Sequence, residues 1–176
     1  MLIELLRKRR SIRTFTAQPV EQEKIDLLIE AALRAPSSRS LHPLEFVLVR
    51  DAASISALAA AKTHGSAFMQ HAPVALVICA DATVSDVWVE DASIAALLVH
   101  LEAADLGLGS CWVQIRKRPH DNDLSAEAYV AKLLGLRQDL RVEAIVAVGY
   151  PGNEPPGHSP DSLLRERVSV FPLQED

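Results

Sequence analysis

Two strongly apolar runs constrain the fold of this chain more than any other part of its sequence. Residues 74–79 read VALVIC, and residues 142–149 read VEAIVAVG. A strand with one wet face alternates apolar and polar residues, whereas a strand covered on both faces is apolar almost throughout. Both runs therefore predict strands at the centre of the protein, with other elements packed on either side of them.

The rest of the chain alternates between helical and extended patterns. Apolar residues at helical spacing predict helices at 2–9, about 21–35, 53–63, about 86–106 and 123–136. Two further strands are predicted, at 44–51 and within 107–115. There is no internal repeat, so we expect residues 1–176 to form one domain of mixed α and β class with three packed layers. The segment from about 152 to 176 is rich in Pro and Gly and is predicted to be an extended tail without a core of its own.

Charge and cysteine content argue against several classes of protein. Lys and Arg number 18 against 23 Asp and Glu, a formal net charge of -5, which disfavours a general nucleic-acid binder. No apolar run reaches the roughly 18 residues of a membrane span. At the N-terminus the apolar residues precede the charges, which is the reverse of the order in a signal peptide. Cys79 and Cys111 stand far apart in apolar runs, so we expect buried thiols in the reducing cytoplasm. The six histidines lack metal-ligand spacing, and no metal site is expected.

A cluster of basic residues near the N-terminus contrasts with this acidic background. Five of the seven residues from Arg7 to Arg13 are basic. Arg9, Arg10 and Arg13, with the Ser11 hydroxyl among them, can converge on one phosphate because guanidinium forks match phosphate oxygens. The alternative is a solvated cationic helix end, which the helix dipole favours.

Two other stretches carry weaker signals. Residues 35–43, APSSRSLHP, end a helix at Pro36 and leave serines and Arg39 on a loop whose backbone amides a flat polar ligand can reach. The alternative there is an ordinary helix stop with turn residues. Residues 107–115, GLGSCWVQI, lead from a glycine turn into a strand whose edge can meet a ligand through its backbone. The chain has no GxGxxG fingerprint and no P-loop.

The remaining candidates have simpler explanations. His100, inside the long helix, is interpreted as a partly buried histidine with its hydrogen bonds satisfied. Glu90 and Asp91 are interpreted as favourable charges at a helix N-terminus and not as an acid/base pair. Trp88 and Trp112 fit either the core or a pocket wall, and no GxSxG nucleophile motif is present.

Taken together and in order, these stretches resemble the FMN-dependent nitroreductase family in its short, single-domain form. Residues 9–15 match the family's opening RRS-x-R-x-F element, and residues 35–46 match in part its APSS-x-N-x-QPW-x-F element. The remaining matches are AP at 72–73, Asp91 heading the long helix, GLGSCW at 107–112 and GYP at 149–151.

Several positions depart from the family pattern. Ser40, His42 and Leu44 stand where the family has Asn, Gln and Trp. These changes bear on the substrate and on contacts to the isoalloxazine ring more than on the phosphate site. No Lys or Arg directly follows GYP, so Arg165 and Arg167 are the nearest tail candidates for a further phosphate contact.

The resemblance implies both a fold and an activity. The fold would be an α+β sandwich around a mostly antiparallel sheet flanked by helices. It would form a homodimer with two FMN molecules at the interface and a C-terminal tail extending onto the partner subunit. NADH or NADPH would reduce the flavin and a nitroaromatic, quinone or similar acceptor would reoxidise it in a ping-pong cycle, so no acid/base dyad is needed.

The resemblance also implies a set of cofactor contacts. Residues 36–40 of one subunit would reach the flavin on the other, and backbone amides near Gln114 and Ile115 would meet its N5 and O4 region. The complete implied set is Arg9, Arg10, Ser11, Arg13, Pro36, Ser37, Ser38, Arg39, Ser40, Trp112, Val113, Gln114, Ile115 and Arg167.

The long helix predicts the dimer independently of the family. Its residues 94–99 are six apolar residues in succession, whereas a helix that covers a core on one side has a polar back. We expect this helix in the interface, so that aspartate at Leu98 or Val99 would abolish dimerisation and flavin binding together. The competing account is a helix buried at the centre of a monomer.

Other function classes remain open on the sequence alone. A non-enzymatic binder of FMN or another phosphate ligand would keep the basic cluster, and so would a reductase dedicated to one unidentified metabolite. A small nucleic-acid-associated protein would use residues 7–13 as a cationic arm, although the chain offers few further basic partners.

Overall fold

The computed structural model describes residues 1–171, and in that part of the chain helices and strands alternate as predicted. The helices are α1 (Leu2–Lys8), α2 (Gln22–Leu33), α3 (Ala52–Ala59), α4 (Trp88–Asp105) and α5 (Ala126–Leu134). The strands are β1 (Leu44–Val49), β2 (Val74–Asp81), β3 (Gly109–Gln114) and β4 (Leu140–Gly149). Short 3-10 turns lie at Ser38–Ser40, Ala67–His71, Pro160–Ser162 and Arg165–Arg167.

The four strands form one antiparallel sheet in the order β1-β2-β4-β3. The two apolar runs of the sequence are β2 and β4, the central strands, which pair from Val74 opposite Val148 to Asp81 opposite Leu140. Residues 74–80 are all buried. The prediction that these strands are covered on both faces is therefore confirmed.

Helices cover each face of the sheet. On one face, α2 and α4 pack against alternate residues of the central strands, including Leu76 and Val146. On the other face, α3 and α5 pack against the intervening residues, including Val77 and Ile145. The result is the predicted three-layer α+β sandwich with an antiparallel sheet.

The N-terminal basic element is fixed at one end of the sheet. Ser11 bridges to Ser110 at the start of β3, and Phe15 bridges to Pro151 just after β4. Ile12 is buried against Gly109, where a side-chain Cβ would lie 2.8 Å from the Ile12 side chain. The glycine at this position is therefore required for the close approach of residues 11–13 to the sheet.

A β-bulge interrupts the pairing of β2 with β4. Ile78 pairs with Ala144 and Cys79 pairs with Val142, so Glu143 is an extra residue on β4. Bulges redirect the side chain of the extra residue and occur often beside functional sites. Glu143 is accordingly a buried carboxylate among the apolar residues 142–148 of β4.

The C-terminal segment is described by the structure as far as residue 171. Residues 157–171 are exposed, and their apolar side chains include Val168 and the 92% exposed Phe171. This segment has no core of its own within the described residues. Residues 172–176 of the predicted tail lie outside the described part of the chain.

Candidate functional site

The basic element presents its charges on a rigid support. Ser11 and Arg13 are exposed on either side of the buried Ile12, so they share one face of an extended segment. Within residues 1–171, Arg9 and Arg13 form no ion pair. These two guanidiniums and the Ser11 hydroxyl therefore remain free to bind an anion.

Arg10 is engaged differently from its neighbours. Its guanidinium donates a hydrogen bond to the backbone carbonyl of Pro156 and ties the start of the tail to the basic element. A cavity of about 410 Å³ opens beside this contact, between α1, the start of β3 and residues 151–157. Its polar lining consists of Lys8, Arg9, Arg10, Ser110 and Glu154.

A buried histidine lies behind the basic element. His100 of α4 is buried, and its Nδ1 lies 2.7 Å from the Ser110 hydroxyl. Burial, reinforced by the positive charge of Arg9, lowers the pKa of His100 to about 4. The ring is therefore neutral at pH 7, and the interpretation of His100 as a histidine with a satisfied hydrogen bond is confirmed.

The loop at residues 36–42 is held in a costly backbone conformation. Arg39, Ser40 and His42 have φ values of 52°, 53° and 49°, in the left-handed region that disfavours residues with a Cβ. Such conformations persist only where surrounding contacts enforce them, and they are frequent at ligand-binding sites. The loop was predicted as a candidate site from its serines, but its strain is not visible in the sequence.

Asp91 supplies the main contact that enforces this loop. Its carboxylate is only 3% exposed; Oδ1 accepts a hydrogen bond of 2.9 Å from the Ser38 amide, and Oδ2 accepts one of 3.1 Å from the Ser85 hydroxyl. Two further contacts support the loop: the Ser37 hydroxyl accepts from the His42 amide, and Arg39 pairs with Asp86. Asp91 lies in the first turn of α4, as the interpretation of a helix-dipole charge requires, and its side chain also holds the loop.

The end of β3 supplies the third group of predicted contacts. Trp112 and Gln114 are half-buried on one face, whereas Val113 and Ile115 are fully buried on the other. The Ile115 amide donates to the carbonyl of Glu143, so it is engaged within the sheet. The Trp112 indole donates a 2.9 Å hydrogen bond to the side-chain oxygen of Gln114.

Glu143 extends this arrangement and was missed from the sequence. The Gln114 side-chain amide donates to Glu143 Oε1 at 3.1 Å and to the backbone carbonyls of Glu143 and Arg116. The Gln114 side chain is thus fully committed to protein partners. The one available signal was an acidic residue inside a strongly apolar run.

The structure keeps the basic element and the loop apart within one chain. The loop is fixed to Asp91 at the start of α4, whereas the cavity beside Arg9 is lined by Ala104 near its end. Thirteen residues of α-helix span about 20 Å. Arg165 and Arg167 are exposed and form no ion pair among residues 1–171, so a contact of Arg167 with the phosphate stays a prediction.

Two further properties of the described residues concern metal binding and membrane insertion. Residues 1–171 contain no group of three His, Cys, Asp or Glu side chains placed to hold a metal ion. Over the same residues, no helix has both the length and the apolar character needed to cross a membrane.

The fold and the site together define the class of protein. An antiparallel α+β sandwich carries a basic element at one end of its longest helix and a strained loop at the other. The sequence profile described as the nitroreductase family matches residues 6–64 and 54–150. The chain belongs to the nitroreductase family, a family of oxidoreductases, and the resemblance seen in its motifs is confirmed.

Individual relatives agree with this membership. A protein of Archaeoglobus fulgidus, provisionally described as an NADH dehydrogenase/NAD(P)H nitroreductase, is 31% identical over 94% of this chain and 97% of its own. An FMN-dependent nitroreductase of Clostridium difficile R20291 superposes with a TM-score of 0.94 and 41% identity, over 96% of this chain and 98% of its own. A protein of Desulfovibrio desulfuricans, provisionally described as a nitroreductase and crystallised with FMN, superposes with a TM-score of 0.79 and 27% identity, over 98% of both chains.

Proposed function

We propose that this protein is an FMN-dependent oxidoreductase that transfers electrons from NADH or NADPH to nitroaromatic, quinone or similar acceptors. The observation that carries the proposal is that Arg9 and Arg13, beside the Ser11 hydroxyl, form no ion pair within residues 1–171 of this member of the nitroreductase family. The two free buried thiols fit a reducing compartment such as the cytoplasm.

The residues present fit the phosphate of FMN. Arg9 and Arg13 supply charge and Ser11 a hydroxyl donor, and charge-assisted hydrogen bonds are about twice as strong as neutral ones. Arg10 supports the site from behind through its bond to Pro156. Because the His100 ring near Arg9 is neutral, it does not repel the Arg9 guanidinium.

The chain's own groups would position the ring and limit access to it. Trp112, Val113 and Gln114 offer a rigid strand end against which a flat ring can lie. Residues Pro36 to Ser40 offer a loop whose backbone is held by Asp91. When bound, the flavin supplies the hydride chemistry, and successive binding of donor and acceptor at one open face gives a ping-pong cycle.

We further propose that two chains share each flavin site. One observation in support is the distance of about 20 Å along α4 between the loop and the basic element. Another is the outer face of α4, where Leu97 is 50% exposed and Ile94 is also exposed. A groove of about 560 Å³ between α1, α2 and α4, lined by apolar residues including Leu98 and Leu101, offers a place for a partner's tail.

Flavin binding and turnover test the proposal directly. The purified protein should be yellow or should take up FMN, and FMN-loaded protein should oxidise NADH or NADPH when a quinone or nitroaromatic is added. A colourless protein without flavin uptake at micromolar concentration would refute the proposal. Flavin binding without turnover with any donor would favour the non-enzymatic alternative.

Arginine substitutions test the assignment of the phosphate site. A hydrogen bond to a charged group is worth roughly 1.5–3 kcal/mol, so Arg9→Ala or Arg13→Ala should weaken FMN binding by about one to two orders of magnitude. Riboflavin, which lacks the phosphate, should bind these variants and the wild type equally. Lys132→Ala, on the exposed surface of α5, serves as the control. Equal weakening of both ligands would mean that the arginines act on the fold.

Light scattering tests the dimer. Leu97→Asp changes the exposed face of α4 and should yield a monomer that has lost FMN. The predicted use of Val99 for this test is wrong, because Val99 is fully buried against the sheet within one chain and its replacement would disrupt folding. A wild-type monomer that binds FMN stoichiometrically would contradict the shared site.

A further inference from the structure

Arg116 occupies an unusual position directly beyond the end of β3. Its guanidinium carbon lies 5.5 Å from the centre of the Trp88 ring, in a cation–π arrangement. Its Nε lies 3.8 Å from Glu143 Oε2, and its side chain is 30% exposed. The guanidinium is therefore constrained by an aromatic face and a carboxylate while part of it still meets solvent.

Burying the Glu143 carboxylate at this position costs free energy. Its side chain is 5% exposed and its Oε2 has no hydrogen-bond partner among the described residues. Buried ion pairs rarely add stability, because the desolvation of both charges offsets their attraction. The bulge in β4 nevertheless directs this carboxylate toward Arg116. Orientation of the guanidinium explains the arrangement better than stability does.

The terminal nitrogens of Arg116 have no protein partner among the described residues. Glu143 faces Nε, and neither Nη atom donates a hydrogen bond within residues 1–171. A guanidinium presents its N–H groups as a planar fork that matches a carboxylate. The exposed neighbours Lys117 and Arg118 add positive charge to the same turn.

The simpler explanation is an ordinary solvated arginine. Lys117 and Arg118 fit that explanation, because neither forms an ion pair among the described residues. Arg116 does not fit it, since a solvated arginine needs no buried carboxylate with an unsatisfied oxygen. The three consecutive cations therefore separate into one constrained residue and two solvated ones.

We propose that Arg116 forms an anion subsite that binds a carboxylate of the electron acceptor. This inference rests on the proposed function, because it places the subsite two residues beyond Gln114, at the strand end assigned to the ring's reactive edge. Glu143 is the positioning residue that orients Arg116. A monoanionic carboxylate suits the subsite better than a dianionic phosphate, because the nearby carboxylate of Glu143 repels the second charge.

Paired acceptors test the subsite on FMN-loaded protein. We compare 4-nitrobenzoate with its neutral analogue 4-nitrobenzamide, following NAD(P)H oxidation. Arg116→Gln should raise KM for 4-nitrobenzoate roughly tenfold to a hundredfold, the loss expected for a charge-assisted pair. KM for 4-nitrobenzamide and kcat should stay within about twofold of the wild type.

Two further variants separate orientation from charge. Arg118→Gln removes an equal charge two residues away and should leave the ratio of the two KM values unchanged. Glu143→Gln should produce an intermediate rise for 4-nitrobenzoate alone, because Arg116 keeps its charge but loses its orienting partner. Calorimetric titration with benzoate and benzamide gives an equilibrium readout without turnover, in which Arg116→Gln should weaken benzoate only.

Several outcomes would overturn the subsite. Equal losses for the charged and neutral acceptors would mean that Arg116 acts on the fold or on the flavin. A rise in KM for NADPH, with KM for NADH and for 4-nitrobenzoate unchanged, would assign Arg116 to the donor's phosphate instead. Wild-type turnover of 4-nitrobenzamide without preference for 4-nitrobenzoate would reject the subsite while the proposed function stands. No turnover with either acceptor would reject the proposed function, and unchanged benzoate binding in Arg116→Gln would then reject the subsite separately.

Discussion

Replacing Asp91 by alanine should release the loop at residues 36–42 and weaken flavin binding. The buried carboxylate accepts one hydrogen bond from the Ser38 amide and one from the Ser85 hydroxyl. Alanine removes both, and it leaves the fully buried Ser85 hydroxyl without that partner. The loop then loses the contact that opposes its own backbone strain.

The expected magnitude follows from these contacts. Each hydrogen bond to a charged group is worth roughly 1.5–3 kcal/mol, so Asp91→Ala should cost about 3 kcal/mol or more of unfolding free energy while the loop keeps its conformation. Three residues with left-handed backbone store about 1–2 kcal/mol each, a comparable amount. Without Asp91, the loop is therefore expected to relax away from its ligand-ready conformation, and the FMN dissociation constant should rise at least about tenfold.

Ser85→Ala is the matched control. It removes only the Oδ2 contact, so the bond from Ser38 to Oδ1 persists. Urea unfolding at one fixed protein concentration should show a loss of roughly 1.5–3 kcal/mol for this variant, about half of the loss for Asp91→Ala. FMN titration should show a dissociation constant within about twofold of the wild type.

The proposed role of Asp91 in supporting the loop is refuted if flavin affinity follows global stability. Asp91→Ala and Ser85→Ala would then lie on one line when the change in FMN affinity is plotted against the change in unfolding free energy. It also fails if Asp91→Ala binds FMN as tightly as the wild type, since the loop would then need no support from α4.

Three other predictions concern the surroundings of the site. The pKa of His100, about 4 when folded and 6.5 when unfolded, means that the unfolded state binds the extra proton. Stability should thus be full above pH 6.5 and lower by about 2.5 kcal/mol at pH 4.5, a loss that His100→Gln should abolish in urea titrations at both pH values. Gly109→Ala should cost about 1–3 kcal/mol of unfolding free energy and weaken FMN binding, because its Cβ would lie 2.8 Å from Ile12. Burial raises the pKa of Cys79 to about 12, so a thiol reagent at pH 8 should label neither cysteine until urea unfolds the protein.

The central layers of the fold were predictable because a segment buried on both faces must consist of apolar residues. Residues 74–79 could be apolar throughout only if both faces of β2 were covered, and the structure buries all of them. The antiparallel direction of the strands was not predictable in this way. Alternating helices and strands are more typical of parallel sheets, and only the family resemblance indicated the observed arrangement.

The candidate site was predictable where function depends on residue type and not where it depends on long-range contacts. The basic element of residues 9–13 is visible because several charges are adjacent in an acidic chain. The contact of Asp91 with Ser38 joins residues 53 positions apart. The contact of Gln114 with Glu143 joins residues 29 positions apart and depends on a bulge in β4. Neither pairing leaves a local pattern in the sequence.

The two arginines proposed to meet ligands are supported in chemically opposite ways. Arg9 lies near His100, whose neutral ring leaves the guanidinium with its full charge, which suits a phosphate dianion. Arg116 is paired at longer range with the buried carboxylate of Glu143, which offsets part of its charge and favours a monoanion. A carboxylate in place of the neutral His100 ring should weaken phosphate binding at Arg9. A neutral group in place of the Glu143 carboxylate should lower the discrimination of Arg116 against dianions. We therefore expect the charge of the supporting group to select the charge of the ligand, while the arginine itself supplies the geometry.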